Sequence, residues 1–144
     1  MRKIEGLIIT PLKEFSTPGG AVLQGLKDSD IGYFGIGEVY FSINKYKSVK
    51  DWKRHKRMTM NIVVPTGSIR FVIYDDRLDS DTRNMFFDIT LSRRSYKRLT
   101  VPPGLWMATQ GLEETENLLV NIASISHSPD EIDRKPVAEI PFNW

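Results

Sequence analysis

His55 and His127 are the only side chains of this 144-residue chain that titrate near neutral pH unaided. His55 sits in a basic run of Lys45, Lys47, Lys50, Lys53, Arg54, Lys56 and Arg57, with Asp51 the one acid between them. Neighbouring cations favour a neutral imidazole, the form that accepts a proton. If both rings face one cavity, they make a base and acid pair for proton transfer. The plainer alternatives are a surface imidazole for His55 and a turn residue before Ser128-Pro129 for His127. The basic run is either a solvated face or an anion site for phosphate or diphosphate. Lys53, Arg57, Asn61, Arg70 and Arg77 are the candidates for diphosphate and sugar contacts, since a guanidinium fork pairs two phosphate oxygens. Arg77 follows Asp75-Asp76, so the alternative for it is a structural ion pair. Trp52 and Trp106 suit a core or a pocket wall, where indole also stacks on a sugar or nucleobase. With no cysteine, disulfides and thiolate metal sites are excluded. Two separated histidines do not complete a transition-metal site without carboxylate help, so neither metal nor cofactor is expected.

The elements that must position these groups are short and extended. Val39, Phe41 and Ile43 alternate with Glu38, Tyr40 and Ser42, a period of two that predicts a strand over 37–44. Met58, Met60, Ile62 and Val64 alternate likewise, Pro65-Thr66-Gly67 turns the chain, and Ile69, Phe71 and Ile73 alternate on the return. This predicts a hairpin. Further strands are expected at 6–10, 21–26, 86–91, 98–101, 105–110 and 117–125, with a turn at 17–20 and one helical turn within 130–135. Pro102-Pro103-Gly104 must end a strand, because proline cannot donate to a ladder and glycine opens a turn closed to other residues. The methionines at 58, 60 and 107 suit packing, and Trp144 suits an anchor for the tail. Many short strands and no long amphipathic helix point to one all-β domain over 1–144, a barrel or sandwich able to enclose a pocket.

Formal net charge is +2, from 20 basic and 18 acidic residues, which argues against a general nucleic-acid binder. No apolar run resembles a leader or a membrane span, so a cytoplasmic protein with no membrane partner is expected.

Four stretches carry a likeness to a known family. They are 71–77 followed by Ser80-Asp81-Thr82, Leu99-Thr100-Val101-Pro102-Pro103-Gly104, His127-Ser128-Pro129-Asp130-Glu131, and Ile140-Pro141-Phe142-Asn143-Trp144. In order and spacing they resemble the deoxysugar-nucleotide epimerases of the cupin superfamily, typified by dTDP-4-dehydrorhamnose 3,5-epimerase. The resemblance implies a jelly-roll barrel, a homodimer built by sheet extension, and a sugar-nucleotide ligand held without metal. It also exposes departures. Where that family carries Arg-Gly-Leu-His with the basic histidine, this chain has Lys50-Asp51-Trp52-Lys53, which makes Lys53 a catalytic candidate beside His55. The family's histidine after Pro-Pro-Gly is replaced by Met107, and its tyrosine falls on His127. Its Asp-x-Arg-Gly near the start is replaced by Thr17-Pro18-Gly19-Gly20, and its aspartate partner to the base lies beyond Trp144. The nearer likeness is to a shorter branch with a Trp-x-x-His signature, here Trp52 and His55. The implied chemistry is enolisation, which needs a base, an acid and a donor for the enolate oxygen. The expected function is therefore epimerisation or ketoisomerisation of a nucleotide-linked 4-keto-deoxysugar in surface polysaccharide synthesis. The alternatives are a non-catalytic sugar-nucleotide-binding cupin and a basic-patch barrel that binds nucleic acid or protein.

Overall fold

The computed structural model describes residues 2–144. Strands β1 (Ile8–Pro11), β9 (Lys97–Val101), β6 (Met60–Thr66), β11 (Asn117–Ala123) and β4 (Glu38–Asn44) form one sheet in that order. Strands β12 (Ile132–Lys135), β5 (Val49–His55), β10 (Trp106–Gly111), β7 (Ser68–Tyr74) and β8 (Phe86–Ser92) form the second. Strands β2 (Glu14–Thr17) and β3 (Gly20–Leu23) make a separate hairpin turned at Pro18-Gly19. All ladders between these strands are antiparallel. Two facing sheets with an apolar layer between them form the cupin jelly roll that the strand pattern and the family likeness pointed to.

The inner layer takes Ile62 and Val64 from β6, Ile69, Phe71 and Ile73 from β7, Leu91 from β8 and Leu99 from β9, all with no exposed surface. Each such side chain stabilises the fold by about 1.5–3 kcal/mol relative to exposure. A second cluster lies on the outer side of the second sheet. Trp52, Val72, Trp106 and Ala108 are covered there by Ile140, Phe142 and Trp144 of the closing segment.

Two sequence expectations change here. β6 and β7 are joined by a tight turn at Gly67 (φ +77°) but do not pair; the turn carries the chain from one sheet to the other. The stretch 130–135 is mostly strand β12, and its helical turn is the 3-10 turn Pro129–Glu131 just before it. The Pro-Pro-Gly corner forms as expected. β9 stops at Val101, Gly104 takes φ +91°, and its N–H donates to the carbonyl of His55 at 2.8 Å. That bond ties the corner to the end of β5, where the histidine sits.

Candidate active site

A cavity of about 360 Å³ opens between the sheets. Strand alternation decides what it contains. On β5, Trp52 and Arg54 face the outer cluster, so Lys53 and His55 face inward. A bulge then resets the parity. Met107 and Thr109 of β10 pair with Lys53 and Lys50, so three steps on β5 match two on β10. The extra residue brings Lys50 to the same face as Lys53. Strand β4 runs with its polar set inward. Tyr40, Ser42 and Asn44 line the cavity, while Val39, Phe41 and Ile43 are 45%, 71% and 47% exposed on the other face. Met58, Met60, Ile62, Met107 and Leu119 supply the apolar floor.

His55 is buried, and its Nδ1 lies 3.6 Å from Oε1 of Glu131 without a hydrogen-bond partner of its own. Glu131 closes the 3-10 turn and is inaccessible to solvent. Its Oε1 accepts the backbone N–H groups of Arg57 and Met58, each at 2.8 Å, and its Oε2 accepts Arg57 Nε at 3.1 Å. Burial raises the carboxyl, but these donors outweigh it and hold it at about 2, so Glu131 is an anion at working pH. The His55 imidazole is pushed down by burial, and the charge of Glu131 opposes this in part. It is therefore neutral near pH 7, with a carboxylate behind one nitrogen.

Around it the cavity is cationic. Lys50, Lys53 and Arg134 line it, with Asp51 the one acid among the lining residues. Burial lowers both lysines, and for Lys53 the nearby Arg134 and Lys50 add to the effect. Among the described residues no carboxylate forms an ion pair with Lys53 or Arg134, and Lys50 Nζ donates to Ser42 Oγ at 2.8 Å. Asn44 and Asn121 also line the cavity, each with a buried Oδ1 that lacks a donor. Unpaired cations beside unpaired acceptors suit a ligand bearing both anionic groups and hydroxyls.

The remaining wall holds Tyr40 and His127. Tyr40 donates its hydroxyl to Glu38 Oε1 at 2.7 Å, and the His127 backbone N–H donates to the same oxygen at 3.0 Å. His127 is an exposed residue at the rim. Among the described residues, no three His, Cys, Asp or Glu side chains gather into a group that could hold a metal.

The dTDP sugar isomerase from Desulfovibrio desulfuricans G20 superposes on this chain with a TM-score of 0.93. The two are 35% identical over 98% of this chain and 92% of that one. The chain belongs to the dTDP-sugar isomerase family. Among curated relatives of this chain, the spore coat polysaccharide biosynthesis protein SpsL of Bacillus subtilis (strain 168) is 24% identical over 145 residues, 98% of this chain and 96% of SpsL. The dTDP-4-dehydrorhamnose 3,5-epimerase of Bacillus anthracis str. Ames, solved with TDP and PPi, shares the fold with a TM-score of 0.84 at 19% identity. That superposition covers 96% of this chain and 85% of the epimerase. No protein-family profile matches the chain.

Of the residues singled out from sequence, the isomerase fold brings His55, His127 and Lys53 to the cavity and sends the other six elsewhere. Trp52 and Trp106 belong to the outer cluster, their indole N–H groups bonded to the Val137 carbonyl and the Asp76 carboxylate. Arg70 also faces outward. It grips Asp88 at 2.6 Å and lies against the Phe142 and Trp144 rings. Arg77 forms the structural ion pair, its Nε 2.9 Å from buried Asp75. Burial raises that carboxyl, but donors from Arg77, Ser80 and Thr82 hold it far below its usual range. Asn61 points away from the cavity, its amide fixed by the Gly32 carbonyl and the Thr100 hydroxyl. Arg57 is spent on Glu131. The residues missed from sequence are Glu131, Tyr40, Asn44, Asn121, Lys50 and Arg134. Only Lys50 carried a signal, as part of the basic run.

Proposed function

We propose that the protein is an isomerase that enolises a nucleotide-linked 4-keto-deoxysugar for surface polysaccharide synthesis. The observation that carries this reading is the neutral His55 imidazole facing the cavity, with ionised Glu131 behind it and unpaired cations beside it. His55 takes the proton from the carbon next to the ketone, and Glu131 stabilises the imidazolium that forms. Lys53, two residues away on the same strand face, holds the ketone oxygen as negative charge develops there. Lys50 and Arg134 suit the diphosphate, the Asn44 and Asn121 oxygens suit sugar hydroxyls, and the methionine-rich floor suits a deoxy carbon. His127 closes the rim. Relatives with this fold are described as sugar epimerases and isomerases, and SpsL as a polysaccharide biosynthesis protein.

The exposed apolar strip Val39, Phe41 and Ile43 lies on β4, the edge strand of its sheet, and supports a homodimer formed across that face. No helix among the described residues is long and apolar enough to cross a membrane. A nucleotide-activated substrate supports a cytoplasmic location.

The test is incubation with thymidine-diphosphate-linked 4-keto-6-deoxyglucose in deuterium oxide. Deuterium is expected to enter the carbon next to the ketone in the wild type and not in His55→Asn. Binding of the sugar nucleotide without exchange gives the non-catalytic binding module instead.

A further inference from the structure

Lys53 and Arg134 are cross-strand partners in the ladder between β5 and β12, and both line the cavity. Residues opposed in this way hold their Cβ atoms about 4.5–5.5 Å apart, and two like charges there destabilise the ladder. On its other side Lys53 is opposed by Met107 of β10, which is apolar. Lys50 enters the cavity from the same strand as Lys53, but its amine donates to Ser42 Oγ. Asp51 lines the cavity as well, and among the described residues it makes no ion pair with Lys53. Lys53 is thus a half-buried amine set between a guanidinium and a thioether, with no counter-ion. We propose that Lys53 is a covalent modification site for aldehydes that carry a phosphate, with Arg134 and Lys50 seating the phosphate and the Lys53 amine forming an imine with the carbonyl.

A lysine amine attacks a carbonyl only when it is neutral, and desolvation or a neighbouring cation favours that form. Burial lowers Lys53, the charges of Arg134 and Lys50 add to this, and the charge of Asp51 opposes it in part. A larger share of this amine is free of its proton than at an exposed lysine. The cations that favour the neutral amine also pair a phosphate, so one cluster serves both ends of one ligand. The nitrogen lone pair bonds to the aldehyde carbon, and the carbonyl electrons move to oxygen. That oxygen takes a proton shed by the nitrogen, which gives a carbinolamine. The hydroxyl then leaves as water with the second amine proton, and the nitrogen lone pair closes the carbon–nitrogen double bond. Nothing is oxidised or reduced. The adduct lies beside His55, two residues along the same strand face, and so shuts the cavity. Modification itself needs only the cavity and its cations; its effect on turnover rests on the enolising function proposed above.

Pyridoxal phosphate is the probe, with the imine trapped by borohydride and the adduct located by peptide mass spectrometry. At an equimolar dose the label is expected on Lys53 and not on the other lysines of the chain, which has ten. Pyridoxal, which lacks the phosphate, should need a concentration about tenfold or more higher for the same labelling. Arg134→Ala should bring pyridoxal phosphate toward the behaviour of pyridoxal. Lys53→Arg keeps the cation and, with its fold confirmed by thermal unfolding, should take no label at the equimolar dose. Label spread over the exposed lysines, or carried by Lys50 in preference, overturns the proposal, as does equal labelling by pyridoxal. Bound dTDP is expected to protect Lys53. Label on Lys53 that dTDP fails to block leaves the modification site standing and counts against the nucleotide-sugar function instead.

Discussion

Oε1 of Glu131 lies 3.6 Å from Nδ1 of His55, and the two side chains come from segments 76 positions apart in the chain. The carboxylate is anchored by three donors from the residues that follow His55, so the 3-10 turn and the end of β5 form one unit. The 3-10 turn thereby sets a buried carboxylate behind the imidazole.

The first consequence concerns the acid limb of the rate profile. His55 works as a base only when neutral, so activity is lost as pH falls through its pKa. Burial sets that pKa below the ordinary 6.5, and Glu131 raises it. Glu131→Gln removes the raising charge. The acid limb of kcat/KM is expected to move to lower pH, while kcat falls about tenfold or more because the imidazolium loses its counter-charge. A limb that stays in place or moves upward means that Glu131 does not act on His55.

Glu131 also couples folding to pH. Its carboxyl is at about 2 in the folded chain against an ordinary 4.5, so the unfolded chain binds the proton more readily. The stabilisation is complete above the ordinary value and is lost as pH falls from there toward 2. A drop of this size is worth about 3 kcal/mol. Asp75 is depressed too and acts in the same direction, so the comparison must be made within a pair. Urea midpoints measured from pH 6 down to pH 2.5 should fall more steeply for the wild type than for Glu131→Gln. Parallel curves would remove the link.

The cations should separate by kinetic parameter. Lys53→Met takes away the donor proposed for the enolate oxygen, and kcat is expected to fall by about 10²–10³-fold with little change in affinity for dTDP. Arg134→Ala removes a rim cation proposed to meet the diphosphate, so KM should rise while kcat holds. Steady-state kinetics together with dTDP titration distinguishes the two. The reverse pattern would exchange their roles.

How far the sequence reached is clearest on β5. Lys53 and His55 are singled out as catalytic candidates with no strand expected over 49–55, and the alternation of β5 turns both into the cavity. The same alternation sends Trp52 outward, yet nothing local says which face is the inner one. The bulge that turns Lys50 inward is a property of the β5–β10 ladder and has no local sequence signal. Strand β4 carried a clear period of two, but its apolar half lies outside because its polar half lines the cavity. Arg70 and Glu131 depend on partners far along the chain, brought together by sheet order alone. The Pro-Pro-Gly corner was legible because its constraint lies in the backbone chemistry of the residues themselves.

The place of Trp52 can be tested directly. It has no exposed surface, packs 6.0 Å from Trp144 and 6.5 Å from Phe86, and donates to the Val137 carbonyl at 3.1 Å. Trp52→Phe loses that hydrogen bond and leaves a void, so thermal unfolding should show a loss of about 1–3 kcal/mol. KM for the sugar nucleotide should not change, because the indole faces away from the cavity. A rise in KM at unchanged stability would instead place Trp52 against the ligand.

The exposed face of β4 gives the last expectation. Phe41 is 71% exposed between Val39 and Ile43, and β4 ends its sheet with one edge unpaired. A second copy laid against this strip buries the three side chains and can extend the sheet across the edge. A charge at the centre of the strip opposes this, since an aspartate taken into an apolar contact has no partner there. Phe41→Asp is expected to convert a dimer to a monomer in light scattering at micromolar concentration. Its unfolding temperature should then lose the dependence on protein concentration that the wild type shows. A wild-type chain that is monomeric throughout this range would leave the strip without the proposed partner.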